Sequence, residues 1–457
     1  LSDATALTYP TRTLAHWVAQ SSWAQVKPDI QHATSRSWLN WLGCALGGAN
    51  DPAVTRLIGA LQALQIQGPA PLIGRSEQVD LPHAALLHAF ASNILDYDDT
   101  HWATAIHPAG PVASALVAWS SQSAVTGQEM LHAFLLGMEV SCRIGLAVSP
   151  GHYEKGWHIT GTCGVFGAAV AVGRLMRLTP QQMAWALGHA ATQSAGLVAS
   201  LGTEAKSLNI AQAARNGLVA AQWARHGITA NEAALEAPFG FAQVMGPGRM
   251  DDNLCQGLGD HWEAARNTFK PYPCGFLLHP LLQACLDTPD PLRLDAEAIN
   301  QIDRLIVSVH PLTHVRTNRP QPADALEAKL SAQHAVAMAL LRGDAGVAQF
   351  AEKAVQDPTA RDLRAKIVVV DDASLPTDGA RLEVRWHSGR VDLRAAPAHH
   401  GQAQTLSDAA LARKFRELVA YGAPHCDADT LLAALARYAR AERASDLIAL
   451  TRPHIPA

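Results

Sequence analysis

Through the first 268 residues, apolar side chains recur at helical spacing. In the stretch 81–96 (LPHAALLHAFASNILD), Leu81, Ala84, Leu87, Phe90 and Ile94 fall on one face and predict an amphipathic helix. The stretch 127–148 (GQEMLHAFLLGMEVSCRIGLAV) is apolar nearly all round, which predicts a core helix. Glu139 and Arg143 within it argue for burial in protein rather than for a membrane span. The stretches 165–178 and 211–227 are rich in Ala and Gly, so they predict helices that cross their neighbours at short distance. Thr179-Pro180 supplies an N-cap followed by proline at the first helical position, and Gly227 supplies a helix stop.

The pattern changes near residue 269. KPYPCGF brings two prolines. IDRLIVSV (302–309) alternates and carries β-branched residues, and KIVVVDD (366–372) reads as a strand. In 380–395, Leu382, Val384 and Trp386 alternate, Ser388-Gly389 turns the chain, and Val391 and Leu393 return as the second strand of a hairpin. A long helix is predicted over 324–343 between these strands. From Leu406 the spacing is helical again to about residue 450, with Ser407-Asp408 as its start signal. The predicted fold is mainly α. A large helical domain takes 1–268 and 402–457, and a smaller α+β domain takes 269–401.

Composition narrows the function. Charged residues make up 17% of the 457, against about 25% in an average soluble protein. Much of the chain is therefore buried, in a core or a subunit interface. The net charge of −4 lacks the basic excess that nucleic-acid binding requires. Seven scattered cysteines form no C-x-x-C pair, which argues against a disulfide framework and a structural zinc site. Unpaired thiols fit a reducing cytoplasm. The N-terminal stretch shows no basic region followed by an apolar one, so no signal peptide is expected.

Four polar clusters carry candidate chemistry. Asp96-Tyr97-Asp98-Asp99-Thr100-His101, followed by His107-Pro108, comes directly after a strong helix. It reads as an acidic helix-end turn, as acid/base groups or as metal ligands. Its spacing matches neither a calcium loop nor an H-E-x-x-H helix, and no metal is assigned. Tyr153 precedes Gly156-Trp157-His158, where a glycine-interrupted helix start offers backbone N–H groups to an anion. Lys206 follows Gly202-Thr203 at a helix start, where it is either solvated or half-buried and basic. Lys270-Pro271-Tyr272-Pro273-Cys274, with His279 beyond, stands at the change of texture, as a stiffened linker or part of a ligand site.

Taken in order, D-Y-D-D-T-H…H-P, G-W-H-x-T-G, G-T-x-x-K…A-A-R-N-G, L-E-A-P-x-G-F and K-x-Y-P-C…H resemble the MmgE/PrpD family from about residue 30 to 450. The segment 324–331 (DALEAKLS) and Lys414-Phe415 fit its second half. The resemblance implies a helical domain, a smaller α+β lid domain, a homodimer and no organic cofactor. Known activities of the family are 2-methylcitrate dehydration, cis-aconitate decarboxylation and iminodisuccinate epimerisation. The implied partner is thus a small anionic polycarboxylate.

Carried over motif by motif, the decarboxylase's catalytic set falls on Asp96, Thr100, His107, His158 and Lys206, with His279 after K-x-Y-P. Lys270, Thr100, His279 and Arg316 are the expected substrate contacts. Arg316 stands where the decarboxylase has a catalytic tyrosine, and the loop from Thr100 to His107 is one residue longer. A carbanion next to a carboxylate needs concentrated positive charge and donors. Tyr153 has no counterpart in the decarboxylase. With Lys206 it suggests two opposed bases and hence an epimerase, with hydro-lyase or decarboxylase chemistry as the alternative. A non-catalytic interaction protein would instead scatter these residues in space.

Overall fold

The start signal at Thr179-Pro180 shows how local chemistry sets the helices. In the computed structural model, helix Pro180–Thr192 begins there: Thr179 accepts from the Gln182 amide, and Gln182 reaches back to the Thr179 N–H. This capping box satisfies two N–H groups that a helix start leaves over. Thr126 and Glu129 do the same for helix Gly127–Val148. The structure describes residues 9–248, 252–287, 292–396 and 406–453.

The other predicted helices form as Leu81–Ile94, Ile159–Leu175 and Ala205–Arg225. Gly227 stops the last one with φ at +78°, a conformation that glycine adopts without strain. The Ala/Gly-rich faces do meet closely. A Cβ on Gly217 would lie 2.5 Å from the Ala168 Cβ and 2.7 Å from the Val165 carbonyl oxygen. One on Gly137 would lie 2.7 Å from the Gly167 carbonyl oxygen. Helix Ile159–Leu175 therefore packs nearly backbone to backbone on Ala205–Arg225 and on Gly127–Val148.

By their internal contacts the residues form two units. The first holds Leu1–Ile94, Asp98–Phe269 and Leu406–Ala457; the second holds Leu95–Tyr97 and Lys270–Thr405. The return point expected at 401/402 lies outside the described residues. The first unit is helical around one apolar core that includes Trp38, Trp41, Phe134 and Phe166. Helix Gly127–Val148 is long and apolar enough to cross a membrane, yet it is buried inside this unit. Two short antiparallel pairs, Ala70–Pro71 with Gln78–Val79 and Asp99–His101 with Asn267–Phe269, interrupt the helical pattern. Strands of two or three residues are too short to show a period, so the sequence reading missed them.

The second unit contains a four-stranded sheet in the order Ile367–Asp371, Ile302–Val309, Ala380–Trp386, Val391–Ala396. The first pair is parallel and the others antiparallel. Leu305, Val307, Leu382 and Val384 face a core shared with Leu281, Leu282, Val336 and Leu340. The returning strand departs from the expected alternation. Leu393 pairs with Glu383, on the outward side, and Val391 and Leu393 are exposed. The helix predicted over 324–343 is broken into Ala325–Ala328 and Ala332–Arg342. Ser331 causes the restart, because its hydroxyl accepts from the His334 amide as a new N-cap and donates to the Arg319 carbonyl. The architecture is mainly α with a smaller α+β part.

One buried ion pair stands out in the first unit. Arg143 Nε lies 2.5 Å from Glu139 Oε1, and its Nη atoms donate to the carbonyls of Leu254, Gln256 and His261. Glu139 Oε2 accepts from the Ala264 amide. Burial pushes the Glu139 carboxyl up and Arg143 opposes it. Replacing Arg143 by Met strands a buried carboxylate and three carbonyls. A loss of about 3–5 kcal/mol is expected, read as a lower urea midpoint of helical circular dichroism. An unchanged midpoint would show that other contacts hold the segment 254–264.

Candidate active site

Short strand Asp99–His101 is buried along its length and leads toward His107. The Asp99 carboxylate organises this turn. Its Oδ2 accepts from Asn267 Nδ2 at 2.7 Å and from the Ala109 amide at 3.0 Å, at the start of helix Ala109–Ser120. Its backbone carbonyl lies 2.6 Å from His107 Nδ1. Burial, reinforced by the charge of Asp98, pushes the Asp99 carboxyl up to about 7, against the pull of the Asn267 and Ala109 donors.

The contact with a carbonyl fixes the proton on His107. A carbonyl oxygen can only accept, so Nδ1 carries the hydrogen and Nε2 is the ring's basic nitrogen in the neutral form. The Thr100 hydroxyl lies 3.2 Å from the same Nδ1, and Asp98 Oδ2 lies 3.8 Å from it. The His107 amide donates to the Thr160 hydroxyl. Nδ1 is therefore a donor rather than a metal ligand, although Asp98 and His107 are both metal-binding residue types.

His158 has the opposite tautomer. It is the N-cap residue of helix Ile159–Leu175, and Asn209 Nδ2 faces its Nδ1 at 3.3 Å. The same amide nitrogen also faces the Leu197 carbonyl, which identifies it as the donor. His158 Nδ1 thus accepts, and Nε2 carries the hydrogen. Asn209 shares the first turns of helix Ala205–Arg225 with Lys206 and Ser207. Ser207 in turn donates to Asn93 Oδ1, and Asn93 Nδ2 donates to Asp98 Oδ2. Hydrogen bonds thus link the segments that carry His107, His158 and Lys206 within one unit, rather than scattering them.

The remaining candidates in this unit differ. Lys206 is half-buried in the first turn of its helix. Tyr153 is half-buried in the short helix Gly151–Glu154 and packs against the apolar core. His101 is taken up by Thr104 and Glu263.

Asp96, Lys270, His279 and Arg316 belong to the second unit. Lys270 Nζ lies 2.8 Å from Asp96 Oδ1, and both side chains are largely buried. The lysine charge expected to meet the substrate is thus matched by Asp96. Asp96 has φ at +53°, an uncommon conformation that Asp tolerates better than most residues. Tyr97 donates to the Pro271 carbonyl. His279 starts helix His279–Leu286, its ring edge-on to Tyr272 at 5.6 Å. Arg316 is exposed in the last turn of helix Pro311–Thr317.

Sequence reasoning missed Asn93, Asn209, Thr160 and Ser207. Thr160 is the threonine of G-W-H-x-T-G and Ser207 directly follows the lysine of G-T-x-x-K, so both stood in view without a role assigned. Asn93 and Asn209 are lone helical asparagines and give no signal.

The Asp99 environment has a consequence for stability. The folded carboxyl sits near 7 and its ordinary value is 3.8. The folded state therefore holds this proton more tightly, a contribution fully present below about pH 4 and lost as pH rises through about 7. Asp99→Asn removes this titration. Its melting temperature, followed by scanning fluorimetry, should fall less steeply than that of the wild type across this range. Parallel curves would show that Asp99 ionises normally.

Comparison with known proteins identifies the family. The model of the MmgE/PrpD N-terminal domain matches residues 12–252, and that of the C-terminal domain matches residues 272–438. A cis-aconitate decarboxylase of Aspergillus terreus (strain NIH 2624 / FGSC A1156) is 25% identical over 443 residues, covering 91% of this chain and 90% of that protein. The cis-aconitate decarboxylase-like protein oryM of Aspergillus oryzae is 25% identical over 445 residues, or 92% of each chain. A cis-aconitate decarboxylase of Mus musculus is 28% identical over 299 residues, covering 62% of this chain and 60% of that protein. With both domain models matched in order along one chain, the protein belongs to the MmgE/PrpD family of enzymes.

Proposed function

We propose that the protein is a lyase of small polycarboxylates, with decarboxylation of a cis-aconitate-like acid as its reaction. Relatives that cover nine tenths of the chain and carry the name cis-aconitate decarboxylase support this reading over epimerisation. The epimerase reading needs Tyr153 and Lys206 as opposed bases, and the packing of Tyr153 against the core gives it no support. Dehydration shares the same carbanion chemistry and stays as the alternative lyase reaction.

The pair of histidines in opposite tautomers carries the chemistry. In the reaction, the bond to the departing carboxylate breaks and CO₂ leaves. The electron pair passes into the adjacent double bond and its carboxylate, and one proton is taken up on carbon. His107, protonated on Nε2, supplies that proton, with the nearby Asp98 carboxylate stabilising the imidazolium. His158 presents Nε2–H as a donor to the developing negative charge, and Lys206 contributes an ammonium. Thr100, His279 and Arg316 are proposed to contact the substrate. A homodimer is proposed on the family resemblance. A cytoplasmic site is supported by seven cysteines that form no disulfide.

Incubation with cis-aconitate in D₂O tests the reading. CO₂ release and one new unsaturated dicarboxylate carrying deuterium at a single carbon are expected. Deuterium exchange with inversion, without CO₂, would move the protein to the epimerases. Lys206→Ala and His107→Gln should each lower kcat by about 100-fold or more while the fold is kept. Near wild-type rates in either variant would remove that residue from the mechanism.

A further inference from the structure

We propose that Asn93 is a positioning residue that couples the Lys206 segment to the Asp98–His107 pair. The amide is used at both ends. Nδ2 donates to Asp98 Oδ2 at 2.7 Å, and Oδ1 accepts from the Ser207 hydroxyl at 2.8 Å. Asn93, Asp98 and Ser207 are all at least 97% buried. The carboxylate oxygen that accepts from Asn93 is the one 3.8 Å from His107 Nδ1. Ser207 is bonded to Lys206 along the chain, in the first turn of helix Ala205–Arg225.

The chemistry requires an amide at this place. Asp98 Oδ2 needs a donor and the Ser207 hydroxyl needs an acceptor, and a single amide supplies one of each. Donation to this oxygen holds the carboxylate beside His107, which needs it when it takes up a proton. Rotating the amide would set oxygen against carboxylate and nitrogen against hydroxyl, so Asp98 fixes its sense. The second-to-last residue of helix Leu81–Ile94 thereby holds the carboxylate beside His107 in register with the first turn of the lysine's helix. In water such a bond would be exchanged freely; buried, its loss leaves two polar groups without this partner.

This role rests on the lyase reading only through His107 and Lys206. Asn93→Leu keeps the size and removes both amide groups. On the polycarboxylate that the wild type turns over, kcat should fall by about 100-fold while KM changes by less than about threefold. A second readout needs no substrate. The His107 ring can be titrated by ¹H–¹³C NMR, its peak assigned by its loss in His107→Gln. Within this unit the Asp98 carboxylate lies beside the ring, the Asp99 backbone carbonyl and the Thr100 hydroxyl add neutral contacts to Nδ1, and Thr160 holds the His107 amide. A carboxylate beside an imidazole favours the charged ring, so the His107 midpoint should drop by about half a pH or more once Asn93 no longer orients Asp98. A folded Asn93→Leu with wild-type kcat and an unmoved midpoint overturns the proposal.

If Asn93→Leu does not fold, Ser207→Ala decides. It deletes one hydroxyl, and a kcat loss of about tenfold with a midpoint moved in the same direction is expected. Wild-type values of both in Ser207→Ala overturn the coupling. Turnover retained in His107→Gln would sink the assignment of His107 as the acid, and the NMR shift in the Asn93 variant would still judge the positioning role.

Discussion

The arrangement of the turn that leads to His107 depends on one buried carboxylate. Asp99 uses a single oxygen to hold a neighbouring strand, through Asn267, and the start of helix Ala109–Ser120, through its first amide. Its backbone carbonyl then sets the tautomer of His107. A carboxylate taken out of water is costly unless donors meet it. Here the donors are the groups that must be fixed for His107 to face one way. The cost remains visible in the upward displacement of the Asp99 carboxyl.

The tautomer of His107 follows from this anchor, and that of His158 from Asn209. A carbonyl acceptor at Nδ1 makes His107 basic at Nε2, whereas an amide donor at Nδ1 makes His158 a donor at Nε2. The two rings differ in role because their backs are held differently. Neither role is visible in the residue type, and neither requires an unusual histidine. The relatives' names support the proposed substrate class, and the two tautomers fit the proposed roles of proton delivery and charge stabilisation.

Much of the fold was legible because long helices repeat their pattern. Gly127–Val148 appears with its predicted boundaries, since Thr126 and Glu129 cap it locally. Pro180–Thr192 starts where Thr179-Pro180 said it would. What escaped depended on partners distant in sequence. The strand Asp99–His101 exists through its pairing with Asn267–Phe269, about 170 residues away. The outward turn of Val391 and Leu393 is set by register against Glu383, not by their own apolarity. In the candidate site, His107, His158 and Lys206 stood out because each falls in a motif whose order along the chain is distinctive. Asn93 and Asn209 did not, because an amide in a helix carries no signal until its neighbours are known.

The missing side chain of Gly217 bears on how this protein can change. Helix Ile159–Leu175 follows His158, and helix Ala205–Arg225 bears Lys206; they touch where a Cβ on Gly217 would overlap Ala168 and the Val165 carbonyl. Replacing a helical glycine by alanine is usually the mildest stabilising change, worth roughly 1 kcal/mol in propensity. Here the added methyl would act as a wedge and lever apart the two helices that carry the candidate residues His158 and Lys206. The spacing of these two helices is set by atoms that are absent, a mechanical tolerance that a search for stabilising substitutions by local propensity alone would destroy first.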